Sequence, residues 1–184
     1  MEITDFNFDF NVKKTVNAVL YIVGKIQRKD FHKIFKILYF SDRTHLIKYG
    51  RPITGDAYIA MDDGPVPSKL YDIFKAVRGD SYYEDESFSK YFSVENWDLI
   101  KANQEADLRA LSKTDKDILD ENIEHYGNMS WDEIREKSHD YAWRSTVKNR
   151  PILFENIFTE AGSNPDFINY AREQAALQNF FRNL

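Results

Sequence analysis

The sequence has no cysteine, and only seven glycines and five prolines among its 184 residues. The lack of cysteine excludes a disulfide scaffold, a cysteine-based zinc site, an iron–sulfur cluster and a thiol nucleophile. The scarcity of glycine and proline excludes a collagen-like chain or a flexible linker array. The longest apolar run, residues 18–23, is far shorter than the ~20 residues of a transmembrane helix, so we expect no insertion into a membrane.

The start of the chain also lacks the basic and apolar segments of a signal peptide. Together with the absence of cysteine, this favours a cytoplasmic protein. Aromatic residues make up 15% of the chain, which argues against disorder. The length predicts one folded domain with its own core.

Charge is unevenly distributed along the chain, whose formal net charge is −5. Residues 13–51 hold ten Lys or Arg and two acidic residues, whereas residues 52–184 hold 15 basic and 25 acidic residues. This asymmetry can create a positive face for nucleic acid or an acidic protein, although two solvated helix surfaces are the more common explanation. The cations nearest the predicted turn between the first two helices are Lys25, Arg28, Lys29, Lys33 and Lys36.

Apolar residues at three- and four-residue spacing predict two long helices in the first part of the chain. Asn11 is the predicted N-cap of a helix that ends near residue 27, and Asp30 is the predicted N-cap of the second helix. Gly50 stands where a glycine is expected after the last turn, and Pro52 cannot continue the helix.

The stretch after the second helix changes character. Residues 57–61 are predicted to form a short strand and residues 63–64 a turn, but Pro65 and Pro67 argue against a regular return strand. Ser68 is the predicted cap of a third helix.

The second half of the chain continues this mixture. Residues 88–94 and 97–102 are β-prone and predict a hairpin. The fold class is therefore predicted to be α+β and predominantly α-helical, a helical bundle with a small antiparallel sheet. Further helices are predicted after Ser112, after the capping box at residues 130–133, at residues 151–160 and at residues 165–181.

No catalytic signature is found: the sequence contains no G-x-S-x-G, H-E-x-x-H, P-loop or G-x-G-x-x-G motif. We expect neither a cofactor nor a metal. The helix pair at residues 113–138 has the outline of a helix-turn-helix, but its excess of acidic residues argues against a nucleic-acid partner. His125 and His139, which have carboxylates nearby in sequence, leave a metal-dependent hydrolase as an alternative, although surface or capping histidines are more common.

The middle of the sequence carries one long motif that is rich in glycine and proline. It begins with residues 36–46, KILYFSDRTHL, and continues with residues 49–56, YGRPITGD. Residues within 58–71 and, later, His139 and Trp143 continue the pattern. Together these segments closely resemble the Panacea domain, also called the SocA-like or phage-associated GepA-like family.

The resemblance covers about residues 12–150 and implies a Panacea domain at residues 1–150, with residues 151–184 as a helical extension packed on the same domain. It implies an antitoxin of a bacterial or phage toxin–antitoxin system, without enzymatic activity, that neutralises its cognate toxin by direct protein–protein binding. Some relatives are described as adaptors that present a toxin to a protease, so a proteolytic adaptor is an alternative.

The resemblance also supplies the candidate site. Asp42, Arg51 and Asp56 are among its residues, and the alternative to toxin contact is that these three only fix the loop by ion pairs and helix caps. Trp143 is expected to be buried with its indole N–H bonded. The side chains that the motif offers to a toxin are Tyr39, Asp42, Arg43, Arg51, Asp56, Asp62 and Asp63. The residues that build its framework are Gly50, Pro52, Gly55, Gly64, Pro65, Pro67, Ser68, His139 and Trp143.

Overall fold

The computed structural model describes residues 6, 8–80 and 86–182. Its fold is α+β and predominantly helical, as predicted, with two antiparallel two-stranded sheets. The strands are β1 (Tyr58–Met61), β2 (Gly64–Pro67), β3 (Phe92–Glu95) and β4 (Leu99–Ala102). The helices of the described residues are α1 (Val12–Val23), α2 (Phe31–Tyr49), α3 (Ser68–Arg78), α4 (Lys113–Tyr126), α5 (Trp131–Ser138), α6 (Tyr141–Arg144), α7 (Phe154–Ala161) and α8 (Pro165–Arg182).

Helix α2 lies at the centre of the core. It contacts α1, α4, α5, α7 and β2, and every residue from Lys33 to Asp42 is buried. A helix that is covered on all sides requires neighbours on all sides, so the other elements are arranged around it. None of the helices in the described ranges is both long enough and apolar enough to span a membrane.

Side-chain caps fix the ends of α1 and α2. The side chains of Asn11 and Asp30 accept hydrogen bonds from the amides of the first turn, as predicted, and Gly50 ends α2 with a φ of 72°. Helix α1 ends at Val23, earlier than predicted, because the chain turns at Gly24.

The start of α3 differs from the prediction. Ser68 is the first residue of the helix rather than its cap, and Pro67, at the cap position, offers no side-chain acceptor. The carboxylate of Asp56 takes this role, since it accepts hydrogen bonds from the amides of Lys69 at 3.0 Å and Leu70 at 2.9 Å. A residue from before β1 therefore caps a helix that follows β2.

The predicted absence of a return strand was wrong, because β2 pairs antiparallel with β1. The other edge of β1 bonds to residues 149–152: the amide of Ala60 donates to Arg150 at 3.0 Å, and the carbonyl of Tyr58 accepts from Ile152 at 2.8 Å. The backbone N–H and C=O groups of residues 58 and 60 thus point away from β2. Their partners, prolines at positions 67 and 65, need no amide hydrogen for the ladder.

The second hairpin is shorter than predicted, because residue 88 ends a 3-10 turn and residues 89–91 and 97–98 form turns instead of strand. The outer edge of β4 bonds to the segment before α2: the amide of Phe31 donates to Asp98, and that of Ile100 donates to Lys29, each at 2.9 Å. The hairpin is thereby fixed to the N-terminal end of α2.

Both ends of the described chain pack on the loop after α2. The amide of Asn11 donates to the carbonyl of Thr54 at 2.8 Å. On the other side, Ala171 of α8 is buried, and Tyr170 lies so close to Gly50 that a Cβ there would be 2.8 Å from its ring. Helix α8 thus lies against the loop after α2, and the extension at residues 151–184 stays a prediction as a domain division.

Gly55 should be intolerant of substitution for two separable reasons. Its φ is 71°, and an added Cβ would overlap the carbonyl of Asp9. Gly79 also has a positive φ, of 86°, but open space around it. We expect Gly79→Ala to lower the free energy of unfolding by about 1–2 kcal/mol, the left-handed backbone cost alone, and Gly55→Ala to lower it by more. Urea denaturation checks this; equal losses would contradict the overlap.

Candidate functional site

The buried carboxylate of Asp42 organises the loop after α2. It accepts hydrogen bonds from the amides of Ile53 at 2.7 Å and Thr54 at 2.9 Å. The hydroxyl of Tyr58 donates to it at 2.8 Å, and the hydroxyl of Thr54 also donates. Burial raises the pKa of the Asp42 carboxyl, and these hydrogen bonds act in the opposite direction. The side chain therefore joins α2, the loop and β1.

Asp56 is a second buried carboxylate of the motif and lies at the start of α3. Burial raises its pKa to about 6, although the amides of Leu70 and Lys69 favour the charged form. The negative charge of Asp42 contributes in the same direction as burial. Both acids thus hold the backbone, as the structural alternative to toxin contact expects.

Tyr39 and Arg43 connect α2 to the helices that follow the motif. The hydroxyl of Tyr39 donates to Asp140 at 2.8 Å. The guanidinium of Arg43 lies 3.1 Å from the carboxylate of Glu160 and 3.6 Å from that of Asp140. Glu160 in turn accepts weak hydrogen bonds, 3.3 and 3.4 Å long, from the first two amides of α6.

Arg51 belongs to a cluster around the buried Asp115 at the start of α4. Its guanidinium lies 3.5 Å from one carboxylate oxygen, and Lys14 lies 2.6 Å from the other. His45 Nε2 is 3.2 Å from the same carboxylate, and its Nδ1 is 2.7 Å from the carbonyl of Arg51. Burial alone would raise the pKa of Asp115, but its contacts with His45 and Lys14 outweigh burial and hold the pKa well below its usual range.

Asp62 and Asp63 lie at the exposed turn between β1 and β2. Their side chains are 70% and 56% exposed. Lys148 lies 2.6 Å from the carboxylate of Asp62, and Arg135 of α5 lies 2.9 Å from that of Asp63. Exposed ion pairs such as these contribute little to stability, so both acids can exchange partners at small cost.

The five cations near the turn between the first two helices do not form one exposed basic patch, because two of them are buried. Lys33 is completely buried and donates to three carbonyl oxygens at residues 126–129, after the last turn of α4. Lys36 is 1% exposed and donates to the carbonyl of Pro65 at 3.0 Å. Burial lowers the pKa of Lys33 to about 8 and that of Lys36 to about 7.

Other cations of the basic segment pair with acids from the second half of the chain. Lys25 lies 2.5 Å from Asp120, and Lys48 lies 2.8 Å from Glu121. With the contacts of Lys14, Arg43 and Arg51 described above, these pairs place the basic segment against the acidic one. The uneven charge is therefore largely matched within the protein.

His139 and Trp143 stack on each other with ring centroids 3.8 Å apart. The indole N–H of Trp143 donates to the carbonyl of Met61 at 3.0 Å, as expected, but the side chain is only half-buried. His125 lies elsewhere, edge-on to Tyr126. Across the ranges that the structure describes, no three His, Cys, Asp or Glu side chains are grouped to hold a metal ion, so the geometry gives the hydrolase alternative no support.

The seven side chains proposed to contact a toxin do not share one exposed surface. Contact with a toxin stays a prediction for all of them. By burial they divide into Tyr39, Asp42 and Asp56, which are buried, Arg43 and Arg51, which are half-buried, and Asp62 and Asp63, which are exposed.

Sequence reasoning did not identify the roles of Asp115, Lys33, Lys36 and Glu160. The position of Asp115, three residues after Ser112, indicates a capping box. Nothing in the sequence indicates the cations that contact Asp115 from distant parts of the chain. Lys33 and Lys36 interrupt an otherwise apolar stretch of α2, and this was the available signal for buried lysines. Glu160 lies outside the motif and had no signal.

A comparison with known families accounts for this motif. A family model described as "Antitoxin SocA-like, Panacea domain" matches residues 34–144. The chain belongs to the Panacea family of SocA-like antitoxins. The match is narrower than the resemblance at residues 12–150, so α1, α7 and α8 lie outside the matched Panacea region. Searches of curated proteins and of solved structures found no match.

Replacing Asp42 should destabilise the Panacea domain strongly. Asp42→Ala leaves the amides of Ile53 and Thr54 buried without acceptors, so we expect the free energy of unfolding to fall by about 3 kcal/mol or more. Asp62→Ala is the matched control, since it removes an exposed carboxylate and should cost less than about 1 kcal/mol. Chemical denaturation measures both; similar losses would contradict the role of Asp42.

Lys36 should make stability depend on pH. Its pKa is about 7 in the folded protein and 10.5 as the ordinary value, so the unfolded chain binds more protons between these limits. The free energy of unfolding therefore rises with pH in this window. We expect Lys36→Met to lose part of that rise between pH 7 and pH 9.5, and Lys101→Met, at an exposed lysine, to keep it. The free energy of unfolding is measured against pH for the wild type and both variants, and the same pH dependence in all three would contradict this.

Proposed function

We propose that this protein is the antitoxin of a toxin–antitoxin pair and that it neutralises its cognate toxin by direct protein–protein binding. The observation that supports this most strongly is the match of residues 34–144 to the SocA-like antitoxin family. We further propose that it acts in the cytoplasm and without catalysis. The sequence lacks the catalytic motifs searched for, which is compatible with a binding function.

A preorganised scaffold supports a binding role. The loop after α2 is irregular, yet Asp42 and Asp56 fix its backbone, and the segment before α1 and helix α8 pack on it. A surface that is ordered before binding loses little conformational entropy when a partner arrives. In this proposal the buried motif residues act by holding the surface, and exposed ones such as Asp62 and Asp63 are free to touch the toxin.

The test is growth rescue with co-purification. The product of the adjacent reading frame is induced in a host with and without this protein, and a tagged copy is then purified from the same cells. We expect toxicity that this protein relieves, with the two proteins recovered together. An Asp42→Ala variant, destabilised as described above, should rescue poorly, whereas the exposed Asp62→Ala should leave the protein folded.

Each outcome separates the alternatives. Relief of toxicity with loss of the toxin and without a stable complex favours a proteolytic adaptor, and toxin half-life with and without this protein measures that route. An adjacent product that is not toxic, together with failure to protect against any tested toxin, contradicts the proposal.

A further inference from the structure

A groove of about 880 Å³ lies between α5, α6 and α7, apart from the loop after α2. Met129, His139 and Tyr141 line it, and Tyr141 is 48% exposed. Methionine and tyrosine are among the residue types enriched in protein interfaces. The carboxylates that line the same groove are Asp132, Glu133, Glu136, Asp140 and Glu160.

The groove is more acidic than basic. Its two cations are Lys137 and Arg144, and Arg144 approaches Glu136 only to 3.9 Å. Arg43, which does not line the groove, neutralises part of the negative charge, because its guanidinium contacts Asp140 and Glu160. A net negative charge remains on the walls, and it is concentrated on the exposed side chains of α5.

This charge is left over after the internal pairing of the chain. Acids of α4 pair with the turn after α1 and with α2, as in the contacts with Lys25 and Lys48. On α5, by contrast, Asp132 and Glu136 are exposed, and among the described residues the ion-pair partner of Glu136 is Arg144, at 3.9 Å. Asp132 and Glu136 are therefore the groove carboxylates that the fold itself uses little.

The spread of the carboxylates indicates what the groove fits. Within the described residues no three acidic or histidine side chains converge on a point where one metal ion would sit. Charges dispersed along a groove match several cations carried on one chain, and an exposed tyrosine ring can receive a lysine or arginine by cation–π contact. Large apolar side chains of that chain would meet Met129 and Tyr141.

We propose that this groove binds a basic segment of the toxin, in which lysine or arginine alternates with large apolar residues. The proposal rests on the proposed function, because it names the surface through which the antitoxin acts. It assigns direct contact to α5 and α6 instead of to the buried acids of the loop.

Two exposed acids allow a test that spares the fold. Asp132→Asn with Glu136→Gln removes two charges and keeps the side-chain shapes. Glu133, Asp140 and Glu160 are left intact because Glu133 completes the capping box of α5 and the other two hold Arg43. The matched control is Glu105→Gln with Glu124→Gln, which removes two exposed charges outside the groove. Circular dichroism and thermal unfolding establish that both double variants are folded.

Binding is measured by titration calorimetry at low and high salt with two probes: the purified product of the adjacent reading frame, and a synthetic peptide that alternates lysine and leucine. For both probes we expect the groove variant to bind about tenfold more weakly than wild type and to depend less on salt, and the control to bind as wild type does. Tyr141→Ala should also weaken both, without changing the salt dependence.

If the groove variant, the control and the wild type bind the adjacent product with equal affinity, the assignment of the groove is overturned. Binding of the adjacent product to the wild type still upholds the proposed function. If the adjacent product binds none of the proteins, the proposed function fails for that pair, and the peptide titration still judges the groove. Equal binding of the peptide and of a glutamate–leucine peptide would show that charge does not select the occupant and would also overturn the proposal.

Discussion

The carboxylate of Asp42 is where the central helix and the irregular loop after it become one structure. Four hydrogen bonds from Ile53, Thr54 and Tyr58 end on it, and its burial makes the loss of any of them costly. The loop so fixed sets the start of β1 and the position of Asp56, which caps α3. It also receives the segment before α1 through Gly55. The loop, the start of α3 and the segment before α1 thus depend on one buried carboxyl group.

Charge pairing adds a second level of organisation. Lys14, Lys25 and Lys48 lie against acids of α4, and Arg43 lies against acids at α6 and α7. Most such pairs are worth little individually when they are exposed, but the pair of Lys14 ends on a completely buried carboxylate. Their common direction, from the basic first part of the chain to the acidic second part, accounts for part of the uneven charge distribution.

Local rules predicted most elements and failed where the contact was remote. Asn11, Asp30 and the capping boxes act within one helical turn, so sequence reasoning found them. Ser68 failed as a cap because Asp56, which is distant in sequence, competes for the same amides. The strand β2 was rejected because prolines lack amide hydrogens, but register places them at positions that need none. Of the candidate site, the motif was recognisable, whereas burial of Tyr39, Asp42 and Asp56 depended on tertiary packing.

The residues that identify the family mostly face inward. Asp42 and Asp56 bond to backbone, Gly55 admits the preceding segment, and Tyr39 binds Asp140. Such residues fix the scaffold, whereas the selection of a partner depends on side chains that the partner can reach. Exposed acids on α5 and at the β1–β2 turn meet that requirement and contribute little to the fold. Substitution at these exposed positions would leave the buried network intact.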